Sequence, residues 1–201
     1  QSNAFNNCNN LVEVYNRSEL NIIAGSEEFG KIGYNAKNVY TDESGSNIIT
    51  EGDYIFYNDG GEYYLMGYIG DESEIELPTS VDGKGYGIYQ RAFYNWDSLT
   101  SVIIPDSVTS IGYSAFFGCG LLTNISLGSG VKSIGYQAFD YCCRLVEVYN
   151  RSELNIVAGS EDYGKIAYFS KKVYKERPEE SNIITKGNYL FYNDGGEYYL
   201  M

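Results

Sequence analysis

"SIGYSAFFGC", Ser110 to Cys119, returns as "SIGYQAFDYC" at Ser133 to Cys142, a spacing of 23 residues. One spacing earlier, "GIYQRAFYNW" (Gly87 to Trp96) sets Ala92-Phe93 in the same place, and "SNAF" (Ser2 to Phe5) opens the chain on a related phrase. Around the phrase, Leu99, Val102, Ile104, Val108 and Ile111 return as Leu122, Ile125, Leu127, Val131 and Ile134. A period in the twenties marks a solenoid, because a single coil cannot bury its apolar side and must stack on a neighbour. "LTSVIIP" reads as a short strand with Leu99, Val102 and Ile104 inward, ended by Pro105, which lacks an amide donor. Ala115 and Phe116 then supply one small and one large interior side chain per coil, and Gly118 eases the return.

A second period of about 134 residues encloses the first. Leu11–Tyr34 returns as Leu145–Tyr168 with 20 of 24 residues identical, and Ser46–Met66 returns as Ser181–Met201 with 18 of 21. The offset grows by one between "TDESG" (41–45) and "KERPEE" (175–180), as in an exposed loop. "SEEFGKIGYNAKNVY" predicts a helix over 26–40, with Ser26 as N-cap and Phe29, Ile32, Ala36, Val39 and Tyr40 at helical spacing. "DYIFYNDGGEYYLMGYI" predicts a hairpin turning at Asn58-Asp59-Gly60-Gly61. Four residues, Asp82–Gly85, bulge from the first full coil. The chain thus divides into the end of a repeat run (1–15), an insert with helix and β-hairpin (16–74), about three coils (75–149), and a second, truncated insert (150–201). Starting and stopping inside repeats, it is expected to be part of a longer array whose signal and anchor lie elsewhere.

Composition narrows the function classes. A formal charge of -13 disfavours nucleic acid and anionic membrane surfaces, which need clustered Lys and Arg. No apolar run reaches the ~18 residues of a membrane span. Without any His, the usual general base and metal ligand are missing. Asp59 with Glu62 and Asp194 with Glu197 could act as carboxylate pairs, yet the same residues suit a tight turn. "GDESEIE" (70–76) gathers four acids but lacks calcium-loop grammar, so a solvated loop competes with a calcium site. Cys8, Cys119, Cys142 and Cys143 match no zinc spacing. Cys119 and Cys142 occupy equivalent levels of adjacent coils, either as free buried thiols or as a disulfide. Asn16, Asn124 and Asn150 each open an acceptor triplet for N-glycosylation, a pattern that an Asn-rich chain makes by accident.

At "LTSVIIPDSVTSIGYSAFFGC" the chain resembles the BspA-like, or Treponema-type, leucine-rich repeats, closely over 75–149 and partly over 2–15. Trp96 at the Cys position, Gly128 at the Pro position and the Asp82–Gly85 bulge depart from that pattern. The resemblance implies a fold of class α/β: a leucine-rich-repeat solenoid of 23-residue coils with short parallel strands, here carrying helix-plus-β-hairpin inserts. It implies a secreted or surface-anchored protein that adheres to host or neighbouring-cell proteins, matrix or glycans, with no catalytic residues and no cofactor. The concave face would present Thr100, Ser101 and Ile103, then Thr123, Asn124 and Ser126, then Val146, Glu147 and Tyr149. The hairpins add tyrosines, among them Tyr57, Tyr63, Tyr192 and Tyr198, some of which must face outward because strand side chains alternate. Tyr serves binding surfaces and stabilises sheets alike. Adhesion, strengthened by avidity across repeats, is the leading reading. A stalk that only spaces other domains is its rival, and a carbohydrate-active enzyme would need a carboxylate pair in a pocket. A monomer is expected, with end-to-end contacts possible through the apolar solenoid ends.

Overall fold

Each 23-residue phrase folds as one coil made of two short strands and a corner. The structure, a computed structural model, describes residues 8, 11, 13–15, 18–31, 36–40, 47–177 and 182–201. The Ala4-Phe5 phrase, the Asn16 triplet's first two residues, Ile32, and the loops at 41–45 and 178–180 lie outside the described residues.

In chain order the strands are β1 (Glu13–Tyr15), β2 (Asn38–Tyr40), β3 (Ile48–Glu51), β4 (Tyr54–Asp59), β5 (Glu62–Tyr68), β6 (Glu74–Glu76), β7 (Tyr86–Ile88) and β8 (Ser101–Ile104). There follow β9 (Val108–Ile111), β10 (Asn124–Leu127), β11 (Ser133–Ile134), β12 (Glu147–Asn150), β13 (Lys172–Tyr174), β14 (Ile183–Lys186), β15 (Tyr189–Asp194) and β16 (Glu197–Leu200). A five-stranded parallel sheet runs β13-β12-β10-β8-β6. A second sheet runs β11-β9-β7-β5-β4-β3, parallel up to β5 and antiparallel beyond it. The registers Asn124↔Ser101 and Asn124↔Glu147 reproduce the 23-residue spacing as the step from coil to coil.

The core lies between the two sheets. Val102, Ile104, Val108, Ala115, Phe116, Cys119 and Leu122 have no exposed surface, and their counterparts one coil later are equally sealed. Pro105 follows the last residue of β8, as its missing amide requires. At the interior level set by Ala-Phe, Phe93, Phe116 and Phe139 stack with centroids 4.8 and 5.1 Å apart, and Trp96 caps the row at 5.7 Å from Phe93. Trp96 therefore replaces the motif's Cys without breaking the stack. Cys119 and Cys142 are free thiols whose Sγ–H groups donate to the carbonyls of Phe93 and Phe116, so the disulfide alternative is not realised.

Each of the three described Ala-Phe corners is turned by a left-handed residue just before the Ala position: Arg91 (φ 58), Ser114 (φ 50) and Gln137 (φ 55). Such backbone costs ~1–3 kcal/mol at a non-Gly residue. It is held by corner hydrogen bonds between coils, as Phe93 N–H to Ala115 O and Phe116 N–H to Ala138 O, both 2.8 Å. Gly112 and Gly135 fill the corner where the coils approach most closely. A Cβ on Gly135 would lie 2.6 Å from Tyr113 N, which explains why Ile-Gly recurs.

The expected helix over 26–40 is not formed. Among the described residues only four-residue turns, α1 (Glu28–Lys31) and α2 (Asp162–Lys165), appear, and β2 takes up 38–40. Tyr163 (φ 50) and Gly164 (φ 66) are left-handed, and Phe139 N–H donates to Gly164 O as Phe116 N–H does to Ala138 O. The apparent helical spacing is thus another coil corner. β13 then pairs with β12 at Glu147↔Lys172, as β2 pairs with β1 at Glu13↔Asn38, so both copies lay down a further strand 25 residues on. The tertiary ladder outweighed the helical propensity, since a helix would have left the edge of β12 unpaired.

The hairpin is as expected. Gly60 (φ 64) and Gly61 (φ 102) supply the turn between β4 and β5, with Gly61 N–H donating to Asn58 Oδ1 at 2.7 Å. Gly195 and Gly196 repeat it between β15 and β16. The Asp82–Gly85 bulge is a tight turn closed by the Val81↔Lys84 bridge, with Asp82 at φ 49.

Candidate functional site

Alternation along the strands of the five-stranded sheet leaves two rows of side chains on its outer face. One row holds Glu74, Ser101, Asn124, Glu147 and Lys172, and the other Glu76, Ile103, Ser126, Tyr149 and Tyr174. The C-terminal antiparallel meander β14-β15-β16 leans over one end of this face and turns it into a cleft. That cleft, about 400 Å³, is lined by Glu74, Thr100, Ser101, Leu121, Thr123, Asn124, Arg144 and Arg177, with Ile183, Thr185 and Leu190 from the meander. A second cleft of about 370 Å³ adjoins it at Arg177 and takes in Ile103, Ser126, Tyr149, Arg151 and Glu176.

A buried carboxyl fixes the meander in place. Glu147 has no exposed surface; Asn182 N–H donates to its Oε1 at 3.0 Å and the Tyr149 hydroxyl to its Oε2. Asn182 Nδ2 donates to the Tyr174 hydroxyl at 2.9 Å, and that oxygen lies 3.4 Å from the Tyr192 hydroxyl. The first copy repeats the joint: Asn47 N–H donates to Glu13 Oε1 at 2.8 Å and Asn47 Nδ2 to the Tyr40 hydroxyl. Burial, with the hydrogen bond to Glu147, pushes the Tyr149 phenol well above its usual pKa. Burial and the Tyr174 contact do the same for Tyr192.

The residues singled out from the sequence therefore part company. Thr100, Ser101, Thr123 and Asn124 meet in the first cleft, and Ile103, Ser126 and Tyr149 in the second. Glu147 belongs to the joint. Of the hairpin tyrosines named as binding candidates, Tyr57, Tyr63 and Tyr192 are buried, while Tyr198 is 55% exposed. Tyr57 accepts from Asn38 Nδ2, and Tyr63 donates to Asp82 Oδ2 at 3.0 Å, so both hydroxyls are used internally. Asp59 is taken by Lys37, and Glu62 accepts from the Tyr64 hydroxyl at 2.8 Å. Neither carboxyl of that turn is poised for acid–base work.

Sequence reasoning missed the cleft's cations and its roof. Arg144 and Arg177 sit outside the repeat motif, and only the folded meander brings Ile183, Thr185 and Leu190 opposite the sheet. It also missed a surface row of aromatics along the coil corners. Tyr94 and Phe117 stack at 5.0 Å, Phe117 meets Tyr141 at 5.0 Å, and Tyr113 faces Tyr136 at 6.3 Å. Tyr94 and Phe117, like Tyr113 and Tyr136, are 23 residues apart, but Asp140 falls at the next step of the first row and Tyr141 stands in for it one residue on. Among the described residues, no helix is long and apolar enough to cross a membrane.

The model of the BspA type leucine rich repeat region matches residues 86–194 in 6 copies. No curated protein matches the chain. A leucine-rich repeat protein from Bacteroides capillosus is 26% identical, covers 66% of this chain and 100% of its own, and superposes with a TM-score of 0.54. The T. pallidum leucine rich repeat protein is 28% identical over 51% of this chain, with a TM-score of 0.47, and this chain spans only 49% of it. A leucine rich cell surface protein from Faecalibacterium prausnitzii is 20% identical over 79% of this chain and 62% of its own, with a TM-score of 0.45.

Proposed function

This chain belongs to the BspA-type leucine-rich-repeat family, and from that membership we propose a non-catalytic recognition module that works outside the cell or on its surface. The partner is a protein of a host or neighbouring cell, a matrix component, or a glycan. The observation that carries this reading is the roofed cleft on the outer face of the five-stranded sheet. Its size falls within the range of sites that take small ligands or one anchoring group of a larger one. A carboxyl with no exposed surface at its edge holds the roof in place. The joint's recurrence at Glu13 and Asn47 suits avidity, since a tethered second contact meets a high effective concentration. Binding of this chain and of a tandem array to immobilised matrix proteins and glycans, at two salt concentrations, tests the proposal. Asn124→Trp, which fills the cleft, abolishes binding if the reading is right. Unchanged binding of that variant, or no binding by chain and array alike, leaves the stalk reading in its place.

A further inference from the structure

The chemistry of the first cleft narrows its ligand. This is an acidic protein with only five arginines, and three of them, Arg144, Arg151 and Arg177, border the two clefts. Arg151 is neutralised by Asp106 at 2.7 Å. Among the described residues Arg144 and Arg177 form no ion pair, and Arg177 is held over the Tyr149 ring at 5.7 Å with its N–H donors free for a ligand. Glu74, the one carboxyl lining the cleft among the described residues, is on β6 at the far edge of the sheet. Three strand spacings, roughly 14 Å, part β6 from β12, near which the arginines gather.

The floor is equally specific. Thr100 Oγ1 donates to Ser73 O at 3.0 Å, Thr123 Oγ1 to Thr100 O at 3.0 Å, and Ser101 Oγ to Asn124 Oδ1 at 2.8 Å. All three hydroxyl protons are therefore committed, and Thr123 Oγ1 also accepts from Asn124 Nδ2 at 3.2 Å, so what the hydroxyls offer a ligand is their remaining lone pairs. A floor that is mainly acceptors, in a cleft also lined by two guanidiniums, calls for a ligand with a carboxylate at one end and hydroxyl donors along its body. A peptide with acidic side chains fits less well, because half of its backbone groups are carbonyls that would face acceptors.

Resting on the recognition reading above, we propose that this cleft binds an acidic saccharide, a pyranose carrying a carboxylate. Arg144 and Arg177 take the carboxylate. Thr100, Ser101 and Thr123 accept from ring hydroxyls, and Glu74 accepts a hydroxyl from the sugar's far end.

Saturation-transfer NMR and calorimetry with glucuronate, galacturonate and N-acetylneuraminate test this, with methyl glucoside and a Glu-rich pentapeptide as competitors. An acidic sugar binds, methyl glucoside does not, and each of Arg144→Ala and Arg177→Ala weakens binding about tenfold or more. Both residues are exposed, so the variants keep the fold, which circular dichroism checks. Lys132→Ala, on the coil of the other sheet, leaves binding unchanged. Stronger binding of the pentapeptide, or acidic-sugar binding indifferent to both arginines, overturns the proposal. If no acidic sugar binds while a neutral glycan or matrix protein does and Asn124→Trp blocks it, this inference fails and the recognition reading stands. If Asn124→Trp blocks nothing that binds, the recognition reading fails as well.

Discussion

Glu147→Ala is the change that most directly tests how the roof of the cleft is held. The carboxyl is sealed from solvent and accepts from Asn182 N–H at 3.0 Å and from the Tyr149 hydroxyl. A hydrogen bond to a carboxylate contributes roughly 1.5–3 kcal/mol. Of these two bonds the one from Asn182 joins the meander to the sheet, beside the Asn182–Tyr174 and Tyr174–Tyr192 contacts, so its loss loosens the docking by about that amount. At about 1.4 kcal/mol per factor of ten, the opening constant of the meander rises on the order of 10- to 100-fold. A three-stranded meander released from its support is marginal in water, so opening exposes its amides. Hydrogen–deuterium exchange of β14 and β15 is expected to accelerate by that factor, while β8 and β10 keep their protection. The first copy supplies an internal control, because β5 is also paired to β7 and Glu13→Ala removes only one of two supports. Glu147→Gln, which retains an acceptor for Asn182, has the smaller effect. Unchanged exchange in β14 and β15, or equal acceleration throughout the solenoid, would refute the reasoning.

Three further outcomes follow from the packing. Phe116→Ala removes a sealed ring stacked on both neighbours and costs about 3–5 kcal/mol, whereas Phe117→Ala, in the surface row, costs much less; urea titration compares them. Gly135→Ala forces a Cβ to within 2.6 Å of Tyr113 N and destabilises by about 1–3 kcal/mol in the same assay. Burial, with the charges of Tyr68 and Glu72 nearby, raises Tyr54 to about 12, and burial raises Tyr86 further. The folded state then retains protons that the unfolded chain loses from about pH 10, so stability is full below pH 10 and falls between pH 10 and 12. Absorbance at 295 nm against pH, with and without denaturant, reads both the delayed ionisation and the alkaline unfolding.

Much of the architecture was legible because a solenoid is nearly one-dimensional. Each coil meets only its neighbours, so the spacing of Leu99, Val102, Ile104, Ala115 and Phe116 in sequence is also the spacing of the core in space. The turn at Gly60-Gly61 was equally plain, since positive φ at two successive residues leaves few choices of side chain. The 26–40 segment misled because Phe29, Ala36 and Tyr40 sit at helical intervals by coincidence. A coil that turns at left-handed corners can place apolar residues three or four apart without being a helix.

The repeat, the inward residues, the coil step and the hairpin turns are written in the chain, for all of these depend on contacts between neighbours or equivalents one period away. That Tyr57 and Tyr192 are buried, that Glu147 secures a roof, and that Arg144 and Arg177 share a cleft with Thr100 and Asn124 emerges with the folded molecule. Those facts depend on where the meander lies across the sheet. Its docking joins Asn182 to Glu147, 35 residues apart, in a joint of one carboxyl and the hydroxyls of Tyr149, Tyr174 and Tyr192. No periodicity marks such a contact, because one polar joint per 134 residues leaves no pattern of spacing to read.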